Sequence, residues 1–205
     1  MLDAGERLAF ELLGQSGDRW AHTCGVAARA TEATVVLPAA QRATLVAAAW
    51  LHDIGYVASL RDTGFHPLDG ARHLERRGWP PAIAGLVAHH SAARFVAAVR
   101  CLDGELAHFA DPMFSEGPLA DALTWADQTT SPTGQTVDLG TRMADMLARH
   151  GPDSPNALAH PQRRPALIAA VAATRRAFLS SRLPATPAPI RDLPPTSGRP
   201  AAATW

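Results

Sequence analysis

The sequence predicts an all-α fold. Apolar residues make up 47% of the 205-residue chain, and aromatic residues account for only 6%. The apolar residues are dominated by alanine, which has the highest helix propensity, whereas strands favour β-branched and aromatic residues. Apolar side chains also recur at helical spacing in one segment after another. A chain of this length is most simply a single domain with its own core.

Glycine and proline divide the N-terminal part of the chain into three predicted helices. The first covers residues 2–13 and ends at Gly14. Asp18 can cap a second helix that runs to about residue 36, and a proline separates this helix from a third over residues 39–52. The inward face of the first helix is predicted to comprise Leu8, Leu12 and Phe10.

The middle of the chain is predicted to contain three shorter helices. A helix over residues 67–77 begins with a proline in its first turn and ends before a Gly-Trp-Pro-Pro run. Residues 82–88 form an apolar helix that leads directly into a pair of histidines. Residues 92–100 continue helically, and the stretch 101–116 is less regular.

Three further helices complete the predicted domain, which extends from residue 1 to residue 183. They cover residues 117–127, 138–150 and 161–183, and a polar loop follows the first of them. From residue 184 onward the chain has six prolines and few bulky residues. Residues 184–205 are therefore expected to form an extended or disordered tail.

The overall charge argues against polymeric anions as partners. The formal net charge is zero, so the sequence has neither the basic excess of a nucleic-acid-binding protein nor a polybasic membrane patch. A small-molecule partner is favoured. All 19 basic residues are arginines, so any side-chain cation that contacts a phosphate must be an arginine.

A cytoplasmic location is expected. The two cysteines, Cys24 and Cys101, are too few and too isolated for a disulfide framework. The N-terminal residues lack the charged and apolar regions of a secretion signal, and no apolar run approaches the roughly 18 residues of a membrane helix.

Histidines and aspartates at predicted helix ends indicate a metal site. Imidazole nitrogen and carboxylate oxygen suit divalent transition metals. The pairs His52-Asp53 and His89-His90 follow apolar helices, as does Asp127, and His66 begins one. One ion takes about four protein ligands, so this set is larger than one ion needs. The candidate metal ligands are His22, His52, Asp53, His66, His89, His90 and Asp127.

The order of these residues resembles the HD superfamily of metal-dependent phosphohydrolases over roughly residues 18–180. The matching segments are Arg19-Trp20-Ala21-His22, His52-Asp53-Ile54-Gly55, His66-Pro67-Leu68-Asp69-Gly70-Ala71, His89-His90-Ser91, and Ala126-Asp127 followed by Ser131-Pro132. The resemblance implies a compact HD-type bundle of about seven or more helices. It also implies one metal held by His22, His52, Asp53 and Asp127, and a second beside Asp53 held by His66 with His89, His90 or both.

Two departures disfavour the cyclic-dinucleotide phosphodiesterase branch of that superfamily. Tyr56 stands where that branch usually has a lysine, and the stretch 91–94 stands where it has a Gly-Tyr-Pro element. The middle histidines also argue against a one-metal nucleotidase. His73 lies on the same helical face as His66 and is a weaker candidate for its role.

The resemblance implies hydrolysis of a phosphate ester in a small nucleotide-like substrate. One or two divalent ions (Mn, Fe, Co, Ni, Zn or Mg) would activate water, with Asp53 and His52 as the catalytic residues. Arg94 and Arg61 are the predicted phosphate-binding residues, because a guanidinium can make a bidentate contact with phosphate. Two alternatives remain open, a dinuclear iron oxygenase with the same ligands and a non-catalytic nucleotide-binding module.

Overall fold

The computed structural model describes residues 2–14 and 17–182, and its regular structure is helical. Within these ranges the one β-type pairing is an isolated antiparallel bridge between Thr130 and Thr136. The predicted all-α class is therefore confirmed. The predicted tail, residues 184–205, lies outside the described residues, as does the predicted last residue of the domain, Leu183.

Eleven α-helices and five single 3-10 turns form the described chain. The α-helices are α1 Leu2–Leu13, α2 Asp18–Ala33, α3 Ala39–Leu51, α4 His66–Arg76, α5 Pro81–His89, α6 Arg94–Val99, α7 Asp103–Leu106, α8 Pro112–Ser115, α9 Pro118–Gln128, α10 Leu139–His150 and α11 Pro155–Arg182. The 3-10 turns are Thr34–Val36, Ile54–Tyr56, Ala58–Leu60, His90–Ala92 and Ala107–Phe109.

The N-terminal helices differ from the prediction in small ways. Asp18 is the first residue of α2 rather than its cap, and Gly17 occupies the cap position. There the carboxylate of Asp18 can still favour the positive end of the helix dipole. Phe10 is 38% exposed instead of facing inward, because its ring packs edge-on against Trp20 at the surface, with 5.6 Å between ring centroids.

The last helix starts six residues before the predicted Pro161, at Pro155. The start signal is Ser154, whose Oγ accepts a hydrogen bond of 3.1 Å from the backbone N–H of Ala157. A serine cap followed by proline in the first turn is a favourable helix start. Pro161 and Pro165 lie inside α11, where each removes one helical hydrogen bond.

The core is built around α3. This helix packs against α1, α2, α5 and α9, and α9 packs in turn against α2 and α11. Alanines 47–49 of α3 are fully buried, and their small side chains allow neighbouring helices to approach closely. The largest fully buried side chains include Leu45, Leu51, Ile54, Leu68, Leu74, Leu86 and Leu123.

The central helices determine where polar residues meet. Because α3, α5 and α9 pack together, the residues at or just after their C-terminal ends come close to one another. No helix in the described part of the chain is both long and apolar enough to cross a bilayer.

Candidate metal centre

Four histidines and two aspartates meet where the central helices end. His52 and Asp53 directly follow α3, His90 follows α5, and Asp127 is the penultimate residue of α9. His22 comes from the second turn of α2, and His66 is the first residue of α4. All six are buried except His66, whose side chain is 21% exposed.

The first group comprises His22, His52 and one oxygen of Asp53. The Nε2 atoms of His22 and His52 lie 3.4 Å apart. Asp53 Oδ2 lies 3.3 Å from Nε2 of His52 and 3.8 Å from Nε2 of His22. Asp127 adds a second carboxylate, since its Oδ1 lies 3.1 Å from His22 Nε2. We call His22, His52 and Asp53 the first trio.

The second group uses the other oxygen of Asp53. Asp53 Oδ1 lies 3.3 Å from Nε2 of His66 and 4.0 Å from Nε2 of His90. The two imidazole nitrogens lie 3.2 Å apart. We call Asp53, His66 and His90 the second trio. Asp53 therefore belongs to both trios and presents a different carboxylate oxygen to each.

Backbone carbonyls orient three of the four imidazoles. In each case the carbonyl oxygen accepts a hydrogen bond from Nδ1, which leaves the lone pair of a neutral ring on Nε2, the atom that faces the trio. Four imidazoles and two carboxylates arranged in this way fit a divalent transition metal. The three pairs are His22 with Ser131 at 3.0 Å, His52 with Ala49 at 2.7 Å and His90 with Val87 at 2.6 Å.

The loop that orients His22 depends on a glycine contact. Gly134 has a φ of 80° and packs so closely on α2 that a β-carbon there would lie 2.4 Å from the carbonyl oxygen of Ala21. This contact fixes the loop after α9 against α2. The loop can then offer its Ser131 carbonyl to the His22 ring.

Both aspartates of the centre are ionised. Burial alone would raise the pKa of Asp53, but His52 and the Arg19 guanidinium outweigh burial and hold that pKa well below its usual value. Burial also opposes ionisation of Asp127, whose pKa is lowered well below its usual value by its contact with His22 and the charge of Arg142. The site is therefore built to keep two carboxylates charged.

The histidines of the two trios differ in their ease of protonation. Burial lowers the pKa of His90 to about 4 and is the main reason that the pKa of His66 lies well below its usual value. For His52, burial also favours the neutral ring, but the attraction of Asp53 outweighs it and raises the pKa. The imidazoles of His66 and His90 are therefore neutral at physiological pH, as metal ligands must be.

Ser91 connects His90 of the second trio with Asp127, which lies beside the first trio. Its hydroxyl donates to Asp127 Oδ2, and the Gln128 amide donates both to that oxygen at 2.8 Å and to Ser91 Oγ at 3.1 Å. The backbone of Ser91 is left-handed, with φ 50° and ψ 41°. His90 and Asp127 are thus linked through one strained residue, whose role the sequence did not indicate.

Arg19 and Tyr56 form one wall of the centre. The Arg19 guanidinium donates to Asp53 Oδ2 and lies 3.9 Å above the Tyr56 ring. The Tyr56 ring in turn stacks on His66, with 3.9 Å between centroids. Each residue lies three positions from a predicted ligand, Arg19 before His22 and Tyr56 after Asp53, and neither was predicted to have a role.

Arginines surround a cavity of about 70 Å³ at the centre. Asp53, His66, His90 and Asp127 face this cavity. The arginines that line it are Arg19, Arg142, Arg149 and Arg163.

Neither of the arginines proposed from the sequence lines this cavity. Arg94 is exposed, lies 3.8 Å from Glu116, and borders a separate groove between α9 and α11. Ser91 and Ala92 are both left-handed, so the chain turns before α6 and directs Arg94 elsewhere. Arg61 is exposed in the loop before α4.

His89 and His73 also lie outside both trios. α5 ends at His89 and the backbone of His90 leaves the helical region, with ψ 147°, so the two adjacent rings diverge. The His89 ring lies beside the Phe109 backbone, and its Nε2 has no hydrogen-bond partner among the described residues. The buried Nε2 of His73 likewise has none.

Comparison with known families agrees with this arrangement. Residues 19–116 match the HD domain family model, which spans nearly all of α2 and continues through α8. The match includes every residue of both trios, and Asp127 follows it. No curated protein and no solved structure matches the chain. The order of the ligands, the helical fold and the family match agree, and residues 19–116 form an HD domain.

Proposed function

We propose that the protein is a phosphohydrolase with a two-metal centre. The observation that carries this proposal is the position of Asp53. Its Oδ2 lies 3.3 Å from His52 Nε2, and its Oδ1 lies 3.3 Å from His66 Nε2. A carboxylate flanked by imidazoles on both sides can bridge two ions.

The two trios define which residues would hold each ion. His22, His52, Asp53 and Asp127 would hold one ion, and Asp53, His66 and His90 the other. The mixed nitrogen and oxygen donors suit Mn, Fe, Co, Ni or Zn better than Mg, which prefers oxygen. Such ions polarise phosphoryl oxygens and lower the pKa of water.

The rest of the cavity favours an anionic substrate. Arg19, Arg142, Arg149 and Arg163 line it, and guanidinium groups bind phosphate oxygens in pairs. We propose a phosphate ester of a small, nucleotide-like molecule as the substrate. The zero net charge supports a small molecule over a nucleic acid polymer.

A cytoplasmic location is part of the proposal. Cys24 and Cys101 are both free thiols. Unpaired cysteines, one of them exposed, suit a reducing compartment.

Metal analysis combined with a substrate panel tests the proposal. The purified protein is loaded with Mn, Co, Ni or Mg, its metal content is measured, and phosphomonoesters and phosphodiesters are assayed. Asp53→Asn keeps the side-chain shape but removes the charge, and we expect it to lose metal and to lower turnover by about 100-fold or more. Asp153→Asn, which changes an exposed aspartate, is the matched control. Full metal content and turnover in Asp53→Asn would overturn the proposed centre.

The same experiment separates the alternative functions. Two irons per chain with oxygen-dependent turnover and no phosphatase activity would identify an oxygenase. Tight nucleotide binding without turnover for any metal would identify a binding module. Either result contradicts the proposed hydrolase.

A further inference from the structure

We propose that Arg163 forms a phosphate-dianion subsite beside the metal centre and that the substrate is consequently a phosphomonoester, bound by its terminal phosphate. This inference rests on the proposed phosphohydrolase function. It concerns a residue of α11, a helix that lies outside the HD domain match.

Three of the four arginines that line the cavity already have carboxylate partners. Arg19 donates to Asp53. Arg142 Nη2 lies 3.3 Å from Asp127 Oδ1. The third pair is Arg149 with Asp145, whose closest N–O distance is 2.8 Å.

Arg163 has no carboxylate within ion-pair distance in residues 2–14 and 17–182. Its Nε donates to the Ser91 carbonyl at 2.8 Å, and its Nη1 donates to Asn156 Oδ1 at 3.3 Å. Both acceptors are neutral. Asp127 attracts the guanidinium from a greater distance, but its oxygens already accept hydrogen bonds from Ser91, Gln128 and Arg142.

An unpaired cation at a partly buried position is costly, because water no longer solvates its charge fully. An anion that enters the cavity would remove this cost. The Nη2 group makes no hydrogen bond within the described ranges, and a guanidinium offers parallel N–H groups to two phosphate oxygens. The hydrogen bond from Arg163 Nε to the Ser91 carbonyl holds the guanidinium in place before the anion arrives.

The size of the cavity restricts what the anion can be. Its volume is about 70 Å³, several times the roughly 10–15 Å³ that a cavity needs to hold a single water molecule. Sites for whole drug-sized ligands measure roughly 300–1,000 Å³. A phosphoryl group fits, whereas a nucleoside does not, so the remainder of the substrate must stay outside.

The unpaired cation of Arg163 and the small cavity favour a monoester over a diester. A monoester phosphate carries two negative charges at neutral pH and has one substituent, so its three free oxygens can enter the cavity. A diester phosphate carries one charge and has a substituent on two sides. The additional cation of Arg163 and the small cavity both match the monoester.

Binding of inorganic phosphate tests the subsite without turnover. Calorimetry compares the Mn-loaded wild type with Arg163→Gln, Arg163→Lys and the control Arg164→Gln, which removes the adjacent, exposed arginine of the same helix. We expect Arg163→Gln to weaken phosphate binding by about ten-fold or more with unchanged metal content, since a hydrogen bond between charged groups is lost. Arg163→Lys should be intermediate and Arg164→Gln unchanged. Equal affinity in Arg163→Gln and wild type, or no phosphate binding by wild type, overturns the subsite.

Arg163→Lys serves a second purpose. If Arg163→Gln does not fold or does not hold metal, the lysine variant remains informative. It keeps the charge at this position and removes only the paired N–H groups of the guanidinium. Phosphate affinity equal to that of wild type in a folded Arg163→Lys variant would then overturn the bidentate contact.

Turnover of a matched pair of esters tests the substrate class. 4-Nitrophenyl phosphate and bis(4-nitrophenyl) phosphate share a leaving group and differ in phosphate charge. We expect Arg163→Gln to lower kcat/KM for the monoester by about ten-fold more than for the diester. An equal loss for both esters, or a larger loss for the diester, contradicts the monoester assignment and leaves the hydrolase intact. If neither ester is hydrolysed with any metal, the proposed function fails, and phosphate affinity still decides the role of Arg163.

Discussion

A β-carbon placed on Gly55 would lie 2.0 Å from the carbonyl oxygen of His66. No real side chain tolerates such a distance, so the turn after His52-Asp53 can lie against the start of α4 only because residue 55 is glycine. This packing brings Asp53 Oδ1 within 3.3 Å of His66 Nε2. Gly55 therefore connects the two trios through close packing.

Replacing Gly55 by alanine should separate the turn from α4. We expect Gly55→Ala to lower the free energy of unfolding by about 1–3 kcal/mol, the usual cost of overpacking. His66 should move with α4, so the variant should hold one metal where the wild type holds two. Thermal unfolding and metal analysis measure these effects.

Gly104→Ala is the matched control for Gly55→Ala. A β-carbon at Gly104 meets no heavy atom within 4 Å, and this residue lies in α7. We expect this change to be neutral or to stabilise the protein by about 0.5–1 kcal/mol, because alanine favours helix. Wild-type stability and two bound metals in Gly55→Ala would contradict the packing argument.

The adjacent histidines provide a test of the second trio. His90 Nε2 lies 3.2 Å from His66 Nε2, whereas the His89 ring lies outside both trios. We expect His90→Ala to reduce the metal content from two ions to one per chain and His89→Ala to leave it at two. Metal analysis after gel filtration measures this difference. Loss of a metal in His89→Ala alone would contradict the assignment.

The rings of His89 and His90 diverge, and the sequence alone does not predict which of them faces the metal centre. Adjacent side chains point in different directions, so the sequence could predict that the pair contributes a ligand but left open which histidine does so. The answer depends on where α5 ends, and this is set by the backbone of His90 at ψ 147°. Helix ends are the least certain part of any prediction from pattern.

The arginines that line the cavity could not be predicted from the sequence either. Arg94 follows the histidine pair by one helical turn, so the sequence favoured it as a phosphate ligand, but the left-handed Ser91 and Ala92 interrupt that helix. Arg142 and Arg163 are far from the ligand motifs in sequence and reach the cavity only through the packing of α10 and α11. Tertiary contacts of this kind have no local sequence signal. Ligand order and helical periodicity do leave a signal in the sequence, and the fold class predicted from that periodicity was confirmed.

Arg19 should stabilise the metal-free protein more than the metal-loaded protein. It donates to Asp53 Oδ2, the oxygen that faces the first trio, so it supplies positive charge that a metal ion would otherwise supply. We expect Arg19→Gln to lower the free energy of unfolding in chelator by about 1–2 kcal/mol, less than for a fully buried pair because the Arg19 side chain is 37% exposed. With saturating manganese the loss should shrink.

Thermal unfolding in chelator and in manganese measures the dependence on Arg19. Arg7→Gln, which removes an exposed arginine from α1, is the control and should change neither melting temperature appreciably. A loss of the same size in both conditions would show that Arg19 and the metal act on different charges.

Ser91 should tolerate glycine better than alanine. At φ 50° and ψ 41° a β-carbon costs about 1–2 kcal/mol, and Ser91 also donates its hydroxyl to Asp127. Ser91→Ala loses the hydrogen bond and keeps the strain, whereas Ser91→Gly loses the bond and relieves the strain. We therefore expect Ser91→Gly to be more stable than Ser91→Ala by about 0.5–1.5 kcal/mol in denaturant unfolding. At Ala93, where φ is −53°, glycine should instead destabilise the protein. If alanine were more stable than glycine at position 91, as it is expected to be at position 93, the backbone of Ser91 would not be strained.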